Sequence, residues 1–296
     1  MQALWMVLAA FFFSTMAVGI KMAGADFHSF ELVFYRGLIS VVFIGLILRA
    51  RRTRIATTVP MMHAWRSAVG VFSMTAWFYA IAHLPLATAM TLNYMSGVWV
   101  ASFVIGGALL YGKAGRQGPL MATVLASFAG VILLLRPTLA QDQLFAGLIG
   151  LLSGLGAAMA MLQVAALGKV GEPEGRVVFY FSIGTTVVGL VGALWLGFTP
   201  WRDVRWQALA WLLPIGVLAS LGQWAMTRAY SRGSTLLVAN LQYLGIVFAA
   251  GYSLVIFGES VSAMGWGGIA LIITSGVTAT VLRNRALPNI APAEPR

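Results

Sequence analysis

Cysteine is absent from this chain, which excludes disulfides, thiolate nucleophiles and Cys-ligated metal. Charge is scarce too. Only 9% of the 296 residues are Asp, Glu, Lys or Arg, against about 25% in ordinary globular domains, so a water-facing surface cannot be built from it. Acid is scarcer still: eight carboxylates in all, none near the middle of an apolar run. A carrier of cations driven by protons would need such a buried acid, because an intramembrane charge is costly and kept for function.

What fills the sequence instead is apolar, at 60% of residues and a mean hydropathy of +0.88. Uncharged runs of about 20 residues match the length a helix needs to cross ~30 Å of hydrocarbon. Ten hydrophobic segments follow one another, near 2–22, 31–48, 65–82, 87–111, 118–135, 144–168, 177–197, 208–229, 234–257 and 262–282. The long uncharged run from Ser67 to Gly112 divides at His83-Leu84-Pro85, where proline disfavours helix in the residue before it. Pro214 alone lies well inside a segment, where a kink is expected. The first segment reads as a spanning helix rather than a leader, since MQALW carries no Lys or Arg.

The positive charges give the orientation. With the N-terminus inside, 14 of the 19 Lys and Arg fall on the cytoplasmic side, as the positive-inside rule requires. Both termini are then cytoplasmic. The net charge of +11 reports topology, not a nucleic-acid partner.

The chain also resembles itself. YAIAHLPLATAMTLNYMSG (79–97) aligns with RAYSRGSTLLVANLQYLGI (228–246) at a shift of 149, pairing Tyr94 with Tyr243. VFY at 33–35 recurs at 178–180, and Lys21 pairs with Lys169. Five helices per half send the second half into the membrane from the opposite face, an inverted repeat, and such repeats hold their substrate near the midplane. The expected architecture is all-α and integral to the membrane: ten transmembrane helices as two inverted five-helix repeats around a central cavity. Residues 1–137 form the first repeat, 144–285 the second, and 286–296 a short cytoplasmic tail.

The residues carrying this pattern also resemble a known family. Lys21 ending the first helix, Arg36 early in the second, the AIAHLPLATA and AYSRGSTLLVA joints, and FGESVSAMGWGGIALIITSGV near the end resemble the drug/metabolite transporter superfamily, EamA type. Within it the chain looks most like the YddG-type aromatic amino acid exporters of bacterial inner membranes. The resemblance implies the ten-helix fold, a multi-pass place in that membrane and solute export. Two features depart from it: Gly112-Lys113 stands where Gly-Glu is usual, and no proline lies near Ser96 or Gly245.

Soluble-enzyme motifs fail. GALLYGK (107–113) matches a P-loop letter for letter, but Ala114 replaces the magnesium-binding hydroxyl, and the stretch ends an apolar helix. His28, His63 and His83 have no metal-ligand spacing. We therefore expect no enzyme, no cofactor and no metal; the partners are a small solute and the lipid bilayer, with a monomer as the functional unit.

The candidate binding residues are polar or aromatic and uncharged. Thr91 and Tyr94 share one face of the fourth segment, and Asn240 and Tyr243 the matched face of the ninth, beside Gln242. Thr15 pairs with Gln163 under the Lys21/Lys169 alignment; Tyr79 and His83 add a stripe, and Trp99 and Trp224 are further candidates. Tyr94 and Tyr243 are expected to border the cavity from above and below, each facing water. Lys21, Arg36 and Arg228 are placed toward the membrane faces, so the solute is read as neutral or zwitterionic, an amino acid first of all. Without a mid-membrane carboxylate, facilitated diffusion or exchange is expected. Two alternatives stay open: a carrier of another neutral metabolite (a purine, a vitamin or a sugar-like solute) and a non-transporting scaffold, in which these polar groups merely glue helices.

Overall fold

In hydrocarbon, backbone N–H and C=O groups must be satisfied within the chain, and a helix does this inside one segment. Helix is the regular structure throughout the described residues. The computed structural model describes residues 2–110, 122–123, 125–126, 129–130, 132–133, 143–232, 241–258 and 261–286. Asn240, most of the predicted fifth segment, Gly112-Lys113, Glu259 and the tail from 287 lie outside them.

The helices are α1 (Gln2–Ala23), α2 (Ser29–Ala50), α3 (Pro60–His83), α4 (Leu86–Tyr94), α5 (Ser96–Leu110), α6 (Leu144–Lys169), α7 (Glu174–Leu196), α8 (Trp206–Arg232), α9 (Leu244–Val255) and α10 (Ala263–Ala286). Among the described residues five of them, α1, α2, α6, α7 and α8, are long and apolar enough to cross a membrane; shorter apolar stretches cover α9 and 263–278. The chain is a multi-pass membrane protein.

Local sequence sets the ends. Pro60 opens α3, where its missing N–H costs nothing, and Pro85 separates α3 from α4. Glu31, in the first turn of α2, is fully buried; it accepts the His28 N–H at 3.3 Å, the Thr199 N–H at 2.7 Å and the Thr199 hydroxyl at 2.8 Å. That carboxylate ties the start of α2 to the end of α7. Pro214 lies within α8 and does not end it.

The predicted fourth segment is two helices rather than one. Helix α4 ends at Tyr94, the chain turns at Met95, and α5 begins at Ser96. The ninth segment breaks one residue from the position that the shift of 149 pairs with Met95, with a turn at Tyr243 and α9 from Leu244.

Three pairings make the core: α1 on α8, α2 on α7 and α3 on α6. The α2–α7 seam shows how they approach. An added Cβ at Gly37 would lie 2.6 Å from the Thr186 backbone N, one at Gly189 2.6 Å from the Phe34 Cα, and one at Gly192 would overlap the Phe30 ring. Residue numbers rise in α2 as they fall in α7, so the pair is antiparallel. Lipid tails are as apolar as leucine, so helices associate in the membrane through close packing of this kind. Ser40 and Ser220 extend the contact to α8, with the Ser220 hydroxyl 2.8 Å from that of Ser40.

Candidate functional site

A cavity opens where these pairs meet. It is lined from α1, α2, α3, α4, α6, α7 and α8, and by Gln242 just before α9. Its empty space, a figure that includes the solvent at its open mouth, is about 690 Å³. Most of the wall is soft and apolar, with Met6, Met16, Met74, Met161 and Met226 beside Phe13 and Trp77. Unbranched thioethers fill irregular gaps and adapt to varied shapes.

Two arginines break this apolar lining. Arg36, two turns into α2, is 2% exposed, and Arg66, well inside α3, is 3% exposed. Both guanidinium groups lie over the ring of Phe181 on α7, their Cζ atoms 5.0 and 4.1 Å from its centroid. Arg66 reaches that position along its own helix, because Gly70 has no Cβ to overlap the guanidinium. Arg36 Nη1 donates to Thr185 Oγ1 at 3.3 Å, and Arg66 Nη2 to Gln223 Oε1 at 3.4 Å.

These contacts leave donors over. Arg36 Nε, Arg66 Nε and Arg66 Nη1 are buried with no partner, as are the Trp77 indole N–H and the Tyr94 hydroxyl. Among the described residues no carboxylate lines the cavity, and neither arginine has an ion-pair partner. Sharing one ring puts the two charges within about 9 Å of each other, where they repel by roughly 2 kcal/mol at an effective dielectric of about 20. Cation–π contact with Phe181, at roughly 0.5–2 kcal/mol for each arginine, is of comparable size and opposes this repulsion.

The amides of the cavity are partly engaged. Gln242 Oε1 accepts the Tyr230 hydroxyl at 2.9 Å, and its Nε2 donates to Ser96 at 3.4 Å. Asn93 Nδ2 donates to Ser153 Oγ at 3.0 Å. The wall is therefore rich in donors and positive charge.

Of the residues singled out by sequence, the structure brings Tyr94 and Gln242 to this cavity. Tyr243 stands next to it but packs away: its hydroxyl meets Gly97 and Gly276, while that of Tyr94 meets Gly245. At 4% and 5% exposure both tyrosines are buried wedges rather than groups facing water. Thr91 is fully buried and donates to the carbonyl of Ala87, one turn back. Thr15 bonds the Tyr252 hydroxyl at 2.9 Å. Gln163 donates to the Met62 carbonyl at 3.4 Å. Tyr79 and His83 stack on each other at 4.1 Å, outside the cavity lining. Trp224 sits under Arg51 in a separate groove against α2, and Trp99 is half-buried outside the lining. Asn240 is outside the described residues.

The placement of Arg36 toward a membrane face is corrected by its burial in the cavity. Arg66, counted with the cytoplasmic charges, is buried there as well. One assumption hides both: that a charged residue marks a membrane face. The signal is present in Arg36, which sits inside the span 31–48, where Glu31 at the very edge is the one other charged residue.

The chain is similar over nearly its whole length to named transporters. It is 33% identical over 273 residues to the pseudopaline exporter CntI of Pseudomonas aeruginosa, covering 91% of this chain and 92% of that one. An uncharacterized transporter of Helicobacter pylori is 26% identical over 277 residues (92% and 91% covered). The S-adenosylmethionine uptake transporter of Rickettsia bellii is 25% identical over 276 residues (91% and 89%). A solved crystal structure superposes with a TM-score of 0.68 over 96% of this chain and 98% of its own, at 18% identity, which is a likeness of fold. No family model matches the chain.

Proposed function

We propose that this chain, which belongs to the transporter family of the pseudopaline exporters, carries a small amino-acid-type metabolite out of the cell by alternating access. The observation that carries the reading is the cavity's position between the two halves of the chain. Residues that correspond across the halves line it together. At the shift of 149, carried back into α3 and α8, Met74 corresponds to Gln223, Trp77 to Met226 and Asn93 to Gln242. The VFY repeat pairs Arg36 with Phe181, and Lys21/Lys169 pairs Phe13 with Met161. Both members of each of these five pairs are on the wall, whereas of Tyr94 and Tyr243 only Tyr94 is.

The helix contacts support the same symmetry. First packs on eighth, second on seventh, third on sixth, which is the pattern of two five-helix halves exchanged by a twofold axis in the membrane plane. The paired breaks at Met95 and Tyr243 obey it as well. We read the N- and C-termini as cytoplasmic and the ten-helix inverted repeat as the working architecture. Aromatic and thioether walls suit an apolar side chain, in keeping with the likeness to aromatic amino acid exporters, and the donor-rich floor suits an α-carboxylate. A purine or sugar-like solute would leave both arginines unpaired, so those cargoes fit less well.

The test is counterflow in proteoliposomes. Purified protein should exchange labelled members of a panel of amino acids and small organic acids with no imposed ion gradient. Strict dependence on a proton gradient would remove the exchange mechanism; no flux of any panel member above empty vesicles would remove the transport reading.

A further inference from the structure

The charges in the cavity carry the reading further. We propose that the cargo is a net anion bearing at least two carboxylates, one for each of the guanidinium groups of Arg36 and Arg66. This deepens the transport reading above and rests on it.

The groups left unpartnered around the cavity point one way: the four nitrogens among them can only donate, and the Tyr94 hydroxyl can donate as well. Arg36 Nε, Arg66 Nε and Nη1, Trp77 Nε1 and the Tyr94 hydroxyl all lack an acceptor. A buried arginine without an anion is among the least favourable arrangements in a bilayer, and a guanidinium fork matches the two oxygens of a carboxylate. A zwitterionic amino acid would answer one arginine and add a third positive charge. A dicarboxylate answers both.

The surrounding wall decides between an organic anion and an inorganic one. Met74, Met161, Met226 and Phe13 offer soft apolar area that chloride or phosphate cannot use. The two fixed positive charges within about 9 Å set the spacing between the carboxylates. Phe181 holds both cations on one ring, so the pair is preformed and little side-chain freedom is lost on binding.

The experiment uses the full chain, purified in detergent, with citrate, L-glutamate, L-phenylalanine, L-lysine and inorganic phosphate as probes. Citrate and glutamate should raise the apparent melting temperature, with an affinity that weakens as NaCl is added. Phenylalanine, lysine and phosphate should have at least ten-fold weaker effects. Arg36→Gln and Arg66→Gln should each lower the affinity for citrate ten-fold or more. Neither should lower the melting temperature of the cargo-free protein, because each removes an uncompensated buried charge. A merely structural arginine would do the opposite, and a drop in cargo-free stability with unchanged citrate affinity would overturn the proposal. So would phenylalanine or lysine binding as tightly as the acids, or neither acid binding. Flux of neutral amino acids in preference to acids would keep the transport reading and sink this one. Acid binding without flux would do the reverse.

Discussion

Replacing Tyr94 and Gly245, singly and together, tests the wedge at the centre of the fold. A Cβ added at Gly245 would overlap the Tyr94 hydroxyl and come within 2.5 Å of its Cε2 and 2.7 Å of its Cζ. The contact reaches the ring itself, so rotating the hydroxyl cannot relieve it. Overpacking of this kind costs about 1–3 kcal/mol. Tyr94→Ala removes a ring that is 96% buried. In soluble cores such a truncation costs about 3–5 kcal/mol. Between helices in a membrane only the packing part of that cost applies, so about 2–3 kcal/mol is expected here.

At about 2–3 °C per kcal/mol for a chain of this size, Tyr94→Ala should lower the apparent melting temperature by ~4–9 °C, and Gly245→Ala by ~2–9 °C. If the two residues oppose each other, the double variant should melt no lower than Tyr94→Ala alone, a coupling of at least about 1 kcal/mol. Tyr94→Phe should melt at or above wild type, since it deletes a buried hydroxyl that has no partner. Unfolding in detergent is seldom reversible, so all four proteins are compared at one scan rate. Additive losses in the double variant would refute the wedge. So would a Tyr94→Ala protein with wild-type melting, the outcome expected of a tyrosine facing a watery cavity.

In the α2–α7 seam, Gly189→Leu should abolish a monodisperse protein on size exclusion, because the added side chain meets the Phe34 backbone, which cannot give way. Gly251→Ala, with nothing within 4 Å of its new Cβ, should be neutral or stabilise by up to about 1 kcal/mol. Glu172, between α6 and α7, gives a pH dependence. Burial alone would raise its carboxyl, but hydrogen bonds from Thr57 (2.6 Å) and Arg176 (3.0 Å), with the charges of Arg176 and His63, outweigh burial and hold it below the ordinary 4.5. Its stabilisation is therefore present above pH 4.5 and lost as pH falls through the folded value. Glu172→Gln should cost about 1–2 kcal/mol at pH 7, and the gap from wild type should close on acidification; a gap that widens would reverse the sign. For topology, a reporter fused after Arg296 should be cytoplasmic and one inserted between Thr199 and Arg205 external.

The frame was legible because it is written in hydropathy. Segment ends predicted from apolar runs and prolines fall close to those of α1, α2, α6, α7 and α8, where composition changes sharply at the membrane face. The α4–α5 break was not legible. No proline or charge stands at Met95, and the turn lies beside the Tyr94–Gly245 and Tyr243–Gly97 contacts, which join positions about 150 residues apart. Local pattern carries no information about such a partner. The self-alignment that pairs Tyr94 with Tyr243 is itself a long-range signal, and both tyrosines stand at these contacts.

Of the candidate binding residues Tyr94 and Gln242 line the cavity, and the others lie elsewhere for a physical reason. Sequence reading lets polarity mark the cavity and charge mark the membrane face. Thr91, Thr15 and Gln163 show why the first rule is weak: their side chains reach backbone or neighbouring groups within the helix bundle and are spent there. Arg36 and Arg66 show why the second fails. A guanidinium can lie two turns inside a helix when an aromatic face and a side-chain oxygen receive it, and when a glycine such as Gly70 leaves room for its plane. The pattern to search for in such a chain is thus an arginine six or seven residues after the start of a long helix, with a glycine next to it or one turn on. Arg36-Gly37 and Arg66-x-x-x-Gly70 both have that form. A charge so placed is held by its aromatic face and its side-chain oxygen, and the donors left over, Arg36 Nε among them, are what an acceptor from outside the chain could meet.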